Sequence, residues 1–213
     1  MSIKFLEPTR FDEAVTALTE YGDESKVIAG GTAVVLMLQQ KLIAPAVLVS
    51  LGRLEGADFI RREEDGLHIG ALATLRDAER SPVIWQFCPA LAHAFGVVGN
   101  VRVRNQATVG GNLAEADYAS DPPAMLLALD ARVKTLSLHG SREIPLGDFF
   151  LGFYTTALDS TEILTEIAVP NLSPNARATY LKYTSRSAED RPCVGVAVVL
   201  DSDEDGCCRD LRV

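Results

Sequence analysis

The sequence predicts an α+β protein. Helical and strand patterns follow one another in an irregular order, not in a repeated βαβα series, and this order favours an α+β fold over a doubly wound sheet. No G-x-G-x-x-G segment follows a strand pattern, and no G-x-x-x-x-G-K segment is present. A Rossmann site and a P-loop are therefore both disfavoured. With 47% hydrophobic residues in 213, the chain can build a substantial core.

The charge of the chain excludes several classes of partner. The formal net charge is −9, which argues against binding to nucleic acid or to an anionic membrane surface. The N-terminal residues lack the apolar segment of a signal peptide. The longest apolar runs, 33–38 and 193–200, are too short to cross a bilayer. We expect a soluble, cytoplasmic protein without membrane insertion.

The cysteines and histidines do not form a metal-binding pattern. There is no C-x-x-C pair, and the three histidines are scattered along the chain. We therefore expect neither a metal site nor an iron–sulfur cluster in this chain. The residues concerned are Cys88, Cys193, Cys207, Cys208, His68, His93 and His139.

The N-terminal quarter opens with an amphipathic helix. Apolar residues at helical spacing predict a helix over Phe11–Tyr21, with Thr9 as N-cap, Asp12 three residues on, and Gly22 as the stop signal. Further patterns predict a strand over 26–29, a helix over about 33–40 and a strand over 46–50.

The middle of the chain mixes a hairpin, several helices and two alternating strands. Segments 59–62 and 67–69 predict a hairpin with Gly66 in its turn. Helical stretches are expected from Thr74, from Pro82 and over about 89–98. The segment 99–121 is polar and punctuated by glycine. A helix follows from 122 to 129, and strands are expected over 132–138 and 162–169.

The end of the chain predicts a separate unit. Prolines around 171–176 indicate an interdomain linker. Beyond it, strands are expected over 178–182, 194–200 and 209–213, with a turn at 201–206.

The first candidate binding segment is Ala29-Gly30-Gly31-Thr32, between a strand and a helix. Glycines let the backbone approach a ligand closely. A helix that begins directly after them directs N–H groups at that ligand, which suits a pyrophosphate. Thr32 adds a hydroxyl. Considered alone, the segment is explained better by a tight strand-to-helix turn without a ligand, because short Gly-Gly turns are common.

The second candidate segment is Thr108-Val109-Gly110-Gly111-Asn112. Its small residues are expected to expose backbone N–H groups that bind an anion. Asp121, further on, has two interpretations: it is the N-cap of the next helix, or it accepts a hydrogen bond from a ribityl or ribose hydroxyl. Two such segments together suit a dinucleotide better than a mononucleotide.

These motifs resemble the two FAD-binding signatures of the medium, flavoprotein subunits of molybdenum hydroxylases, the carbon monoxide dehydrogenase and xanthine dehydrogenase family. The resemblance extends to segments 69–74, 114–129 and 180–197. It implies the two-lobed FAD-binding (PCMH-type) domain of the vanillyl-alcohol-oxidase superfamily over residues 1–172, with sub-lobes of about 1–52 and 53–172. Residues 177–213 would be the first part of the family's C-terminal α+β domain, apparently truncated. Truncation is expected to leave the edge of the strand 194–200 exposed.

The resemblance also implies the residues of the cofactor site. The two glycine segments would hold the pyrophosphate and ribityl part of FAD, Asp121 an FAD hydroxyl, and Lys182 would lie near the flavin ring. The backbone around Leu164 would lie near the adenine. The implied cofactor-binding residues are Ala29, Gly30, Gly31, Thr32, Ala33, Val34, Val35, Leu36, Thr108, Val109, Gly110, Gly111, Asn112, Asp121, Leu164 and Lys182. No histidine lies near 29–36, so we expect non-covalent FAD, and no catalytic acid, base or nucleophile is assigned.

The resemblance implies an electron-transfer subunit. Electrons would pass from [2Fe–2S] clusters in a small partner subunit to FAD here, and then to NAD⁺, a quinone or O₂. A large partner would hold the molybdenum cofactor and the substrate, in a dimer of heterotrimers. Two alternatives remain: a self-contained FAD-dependent reductase of the same fold, and a flavin-free interaction protein. The sequence identifies neither the substrate nor the electron acceptor.

Overall fold

The computed structural model describes residues 3–213 and confirms the α+β fold. The first lobe is a parallel three-stranded sheet in the order β1-β3-β2, flanked by two helices. Its elements are β1 (Lys4–Leu6), α1 (Phe11–Tyr21), β2 (Ser25–Ile28), α2 (Val34–Gln39) and β3 (Val47–Ser50). Strand β1 was not predicted, because three residues are too few to show an alternating pattern.

Helix α1 has the predicted bounds, but its N-terminus differs from the prediction. The N-cap is Arg10, not Thr9. The Glu13 carboxylate accepts hydrogen bonds from the backbone N–H groups of Thr9 (2.9 Å) and Arg10 (3.3 Å). The acidic residue that satisfies the helix start is therefore Glu13, one position beyond Asp12.

The second lobe is an antiparallel five-stranded sheet in the order β4-β5-β10-β6-β7, with helices packed on one face. Its strands are β4 (Ile60–Arg62), β5 (Gly66–Gly70), β6 (Arg132–Ser137), β7 (Gly140–Pro145) and β10 (Ile163–Pro170), and a small ribbon adds β8 (Phe150–Gly152) and β9 (Thr155–Thr156). Its helices are α3 (Leu75–Arg80), α4 (Pro82–Phe87), α5 (Pro89–Gly96), α6 (Val101–Arg104), α7 (Val109–Glu115), α8 (Asp121–Ala128) and α9 (Leu146–Phe149).

One prediction in this lobe was wrong. Gly66 is the first residue of β5, not part of the turn: a Cβ there would collide with the backbone carbonyl of Val169 on β10. The segment 99–121, to which the sequence assigned no secondary structure, contains the helices α6 and α7. These helices are short, and glycine in α7 weakens the helical pattern.

Residues 177–212 form a third sheet, in the order β11-β12-β13. Its antiparallel strands are β11 (Arg177–Tyr183), β12 (Val194–Ser202) and β13 (Cys208–Arg212). Tyr180, Ala197 and Val199 are buried in the core of the second lobe, where β11 and β12 pack on α5 and α8.

The expected exposed edge of β12 is present in part. Strand β11 pairs with β12 along residues 194–200, but β13 pairs only with residues 199–202, so within the described residues the other edge of 194–198 has no strand partner. Apolar side chains are also exposed on the outer face of the sheet, where Leu181 and Tyr183 on β11 are 68% and 67% exposed. None of the helices within residues 3–213 has both the length and the hydropathy needed to cross a lipid bilayer.

Candidate functional site

A large cleft of about 1200 Å³ lies between the two lobes. One wall comes from the β2–α2 loop and helix α2 of the first lobe. The opposite wall comes from the segments 107–121 and 154–164 of the second lobe, and residues 182 and 189–191 border it from the third sheet. The cleft is larger than most small-molecule pockets, which hold about 300–1000 Å³.

The β2–α2 loop presents a run of unpaired backbone donors. Within the described residues, the N–H groups of the five consecutive residues 30–34 donate to no protein acceptor. All five residues line the cleft. Gly31 has φ +74°, in the left-handed region that favours glycine. Such a run of free donors at the start of a helix is suited to an anion.

Gly30 serves a different purpose from Gly31. A Cβ on Gly30 would lie 2.6 Å from the carbonyl carbon of Gln106 and overlap its carbonyl oxygen. The absence of a side chain therefore lets the β2–α2 loop rest directly on the backbone that precedes α7. Protein backbone, and not a ligand, makes the close approach at this glycine.

The second glycine segment does not offer the free donors that its sequence predicted. The N–H groups of Val109 and Gly110 donate to the carbonyls of Ala73 (2.9 Å) and Ala71 (2.8 Å). The Gly111 N–H donates to the Thr108 hydroxyl at 3.1 Å, so Thr108 is the N-cap of α7. Asn112 donates its N–H to the Thr108 carbonyl at 2.9 Å.

The glycines of this segment matter because they lack a side chain. A Cβ on Gly110 would lie 2.6 Å from Cβ of Ala71, so only glycine fits between α7 and the residue that follows β5. Gly111 is exposed to the cleft, and its Cβ would meet only the Thr108 hydroxyl (2.7 Å) and, at 4.0 Å, Ala29. The Asn112 amide is held by Ser120, to whose hydroxyl it donates at 2.8 Å.

Most of the cofactor-binding residues that the resemblance implies line this cleft. Val35 and Val109 are the exceptions: Val35 is outside the lining, and Val109 is buried in the core. The residues that line the cleft are Ala29, Gly30, Gly31, Thr32, Ala33, Val34, Leu36, Thr108, Gly110, Gly111, Asn112, Asp121, Leu164 and Lys182.

Asp121 is not the N-cap of α8, since that position belongs to Ser120. Its buried carboxylate accepts hydrogen bonds from the Tyr180 hydroxyl at 2.7 Å and from Lys182 Nζ at 3.0 Å. Lys182 Nζ also donates to the carbonyl of Val97 at 2.7 Å. Burial and the hydrogen bond to the Asp121 carboxylate both raise the pKa of Tyr180 above its usual range. This cluster joins the third sheet to the second lobe at the cleft.

Leu164 lines the cleft beside the bulge that β10 carries against β6. The neighbouring Glu162 is buried, and its carboxylate accepts hydrogen bonds from Arg142 (2.7 and 2.8 Å) and Thr135 (2.5 Å). Burial acts to raise the pKa of Glu162, but these hydrogen bonds outweigh it and lower the pKa. The ion pair joins Glu162, which lines the cleft, to Arg142 on β7.

Sequence reasoning missed the residues at the mouth of the cleft. Arg191 forms an ion pair with Asp117 and contacts the Tyr154 hydroxyl at 3.3 Å. Outside the cleft lining, the rings of Tyr118 and Phe153 pack at a tilt of 56°, with 5.0 Å between their centroids. Tyr154 has φ +56°, a conformation that no local sequence pattern indicates.

The arrangement fits a dinucleotide with a pyrophosphate. The five free N–H groups provide donors for the anion, and glycine-shaped walls leave room for an extended molecule. Among the described residues that line the cleft there is neither a histidine nor a cysteine to form a covalent bond to a flavin.

Comparison with known proteins supports this interpretation. Residues 1–172 match the family described as "FAD binding domain in molybdopterin dehydrogenase". The alpha subunit of the 6-hydroxypseudooxynicotine dehydrogenase complex from Paenarthrobacter nicotinovorans is 32% identical over 100% of this chain and 71% of its own length. The carbon monoxide dehydrogenase medium chain of Hydrogenophaga pseudoflava is 32% identical over 91% of this chain and 67% of its own length.

A solved structure of the carbon monoxide dehydrogenase from Hydrogenophaga pseudoflava has a similar fold. It superposes with a TM-score of 0.95 at 31% identity, over 100% of this chain and 73% of that one. The chain belongs to the family of FAD-binding domains in molybdopterin dehydrogenases.

Proposed function

We propose that this chain is the electron-transfer subunit of a cytoplasmic molybdenum hydroxylase, and that it holds FAD non-covalently in the cleft between its lobes. The observation that carries the proposal is the run of five free backbone donors at residues 30–34. Five adjacent N–H groups without protein acceptors are costly unless an anion or water satisfies them. The FAD pyrophosphate satisfies several at once.

The second glycine segment complements this donor loop. Its own N–H groups bond within the protein, so it serves as a smooth wall, and Gly111 leaves space for the ribityl part of the cofactor. Leu164 would border the adenine, and Lys182 would border the flavin ring with its charge balanced by Asp121. The remaining lone pairs of the Asp121 carboxylate would accept a hydrogen bond from an FAD hydroxyl.

Bound FAD supplies the redox chemistry, since a flavin accepts and releases electrons. The chain positions the cofactor and stabilises the charge of the pyrophosphate with backbone dipoles. No general acid, base or nucleophile from this chain is required for that role.

The names of the relatives support an assembly. They include a "medium chain" of carbon monoxide dehydrogenase and a "FAD-subunit" of nicotinate dehydrogenase. We infer that this chain binds a large subunit with the molybdenum cofactor and a small subunit with [2Fe–2S] clusters, in a dimer of heterotrimers. The substrate then contacts the large subunit, not this chain.

The cofactor part of the proposal is tested on the purified chain. We expect a flavin absorption spectrum, with the colour released into the supernatant after acid precipitation. Gly111→Val should abolish FAD retention, because the new side chain enters the cleft. Gly147→Val is the matched control, since a Cβ there meets nothing within 4 Å and the residue is outside the cleft lining. Equal flavin content in both variants would refute the placement of FAD.

The electron-transfer part needs a separate test. The affinity-tagged chain is isolated from its native host, and molybdenum and iron are measured in the complex. We expect both metals to co-purify with the flavin. Flavin without molybdenum or iron would leave FAD binding intact and refute the role as a molybdenum hydroxylase subunit.

A further inference from the structure

A buried histidine points at two carboxylates on the far side of the second lobe, outside the FAD cleft. His68 on β5 is 2% exposed and lies on the strand face opposite the core residues Leu67 and Ile69. Its Nε2 is 2.9 Å from Oδ1 of Asp65 and 3.9 Å from Oε2 of Glu63. One ligand atom from each of the three residues lies within 4.8 Å of the other two.

The other ring nitrogen of His68 is hydrogen-bonded to a third carboxylate, that of Glu166. Nδ1 donates to Glu166 on β10 at 2.5 Å, and Glu166 is in turn held by Lys134 Nζ at 2.7 Å. A carboxylate that accepts the second N–H of a histidine fixes the ring orientation and makes the first nitrogen a better ligand, as in carboxylate–histidine–metal triads. This buried arrangement distinguishes the cluster from ordinary acidic groups on a turn.

The turn that carries the two carboxylates is preorganised. Asn171 donates its side-chain amide to the Glu64 carbonyl at 2.6 Å and its backbone N–H to the Asp65 carbonyl at 3.1 Å. The Glu63 N–H donates to the Gly66 carbonyl at 2.8 Å. Arg61 holds Oε1 of Glu63 at 2.5 Å, which leaves Oε2 as the oxygen nearest to His68.

The dimensions fit a small transition-metal ion. Ligand atoms at Zn–N and Zn–O distances of about 2.0–2.2 Å in a tetrahedron are about 3.3 Å apart. The observed separations of 2.9 and 3.9 Å from Nε2 bracket that value. The side chains of Glu63 and Asp65 are 41% and 75% exposed, so both can move by the remaining fraction of an ångström.

We propose that Glu63, Asp65 and His68 form a binding site for a divalent transition-metal ion such as Zn²⁺, with Glu166 orienting the imidazole. The ion takes the place of the proton that Nε2 otherwise donates to Asp65, and water fills the open coordination position. A nitrogen ligand with only two carboxylates favours Zn²⁺ over Mg²⁺ and Ca²⁺, which require more oxygen ligands. The ion fastens the β4–β5 turn onto β5, beside the linker at Asn171.

The test is calorimetric titration of the metal-free, flavin-loaded full chain with ZnCl₂. Exposed thiolates also bind Zn²⁺, so the titration uses a background with Cys193, Cys207 and Cys208 replaced by serine. We expect one Zn²⁺ per chain, with no competition from a large excess of Mg²⁺.

Isosteric variants then identify the ligands. Glu63→Gln and Asp65→Asn should each weaken Zn²⁺ binding by at least about tenfold, and Glu166→Gln by roughly 10- to 100-fold. Glu64→Gln is the matched control: it removes the same charge from the same turn but lies outside the cluster, and its affinity should stay within about twofold of the background. No binding by the background protein, or equal affinity in Asp65→Asn and Glu64→Gln, would overturn the proposal.

Discussion

Replacement of Gly30 by alanine should weaken FAD binding although the new methyl group faces protein and not the cofactor. Gly30 does not have a positive φ, so its backbone conformation is open to alanine. The obstacle is the backbone of Gln106, whose carbonyl carbon would lie 2.6 Å from the new Cβ, with the oxygen closer still. Backbone cannot rotate away as a side chain end can, so the two walls of the cleft must separate.

The size of the effect follows from the cost of overpacking. Forcing an extra methyl into a filled space costs typically about 1–3 kcal/mol. Since about 1.4 kcal/mol corresponds to a tenfold change in affinity, the Kd for FAD should rise roughly 5- to 150-fold if the strain is relieved by displacing the donor loop. If the strain is instead relieved elsewhere in the protein, the free energy of unfolding should be lower.

The assay is a flavin fluorescence titration of the apoprotein with FAD, accompanied by urea denaturation. Gly52→Ala is the matched control, because its Cβ would meet only the Ser50 hydroxyl at an ordinary 3.6 Å. We expect Gly52→Ala to retain the parental Kd. If Gly30→Ala retains both the parental Kd and the parental stability, the inferred contact between the loop and Gln106 is wrong.

Three further variants probe the groups around the cleft. Lys182→Met should lower the free energy of unfolding by about 3–5 kcal/mol in urea denaturation, because it leaves the Asp121 carboxylate buried without its cation; the double variant with Asp121→Asn should recover part of that loss, and additive losses would contradict the pairing. Thr108→Ala removes the N-cap of α7 and should cost about 0.5–2 kcal/mol, whereas Thr108→Ser should be close to neutral by the same measurement. Glu162 has a lowered pKa in the folded protein, so its contribution to stability is present above its ordinary pKa and is lost as the pH falls through the lowered value. Thermal melting in acid should therefore be less pH-dependent in Glu162→Gln, and an unchanged pH dependence would rule out this role.

The fold was largely predictable wherever the side-chain pattern is long. Helix α1 and strands β6 and β10 follow from periodicity, within one or two residues at their ends. The failures have a common physical origin. Helices α6 and α7 are four and seven residues long, and their stability comes from caps and tertiary contacts with little contribution from an apolar stripe. Local pattern carries little information about such elements.

The candidate site shows a second limit of sequence reasoning, which concerns the partner of each group. The sequence placed Asp121 at the start of a helix, where a cap is the ordinary role. In the structure that carboxylate accepts hydrogen bonds from Tyr180 and Lys182, about sixty residues further along the chain. Long-range pairing of this kind depends on how the third sheet docks, and single-residue patterns do not encode it. Tyr154 and Arg191 at the mouth of the cleft escaped notice for the same reason.

The two glycine pairs are alike in sequence, and in each pair the two glycines have different roles in the cleft. In each pair one glycine packs directly against a neighbouring segment, Gly30 against Gln106 and Gly110 against Ala71. These two glycines set the distance between the packed segments. The other glycine of each pair, Gly31 or Gly111, faces the open space. Among the described residues no protein acceptor reaches the N–H groups of 30–34 in the first loop, whereas the Thr108 side chain and the carbonyls of Ala71 and Ala73, just after β5, accept those of the second. A pyrophosphate should therefore be held asymmetrically, by donors from the first lobe against a shaped surface of the second. On this argument, substitutions in the first loop alter the affinity for any dinucleotide, and substitutions at Gly111 alter which cofactor shape fits.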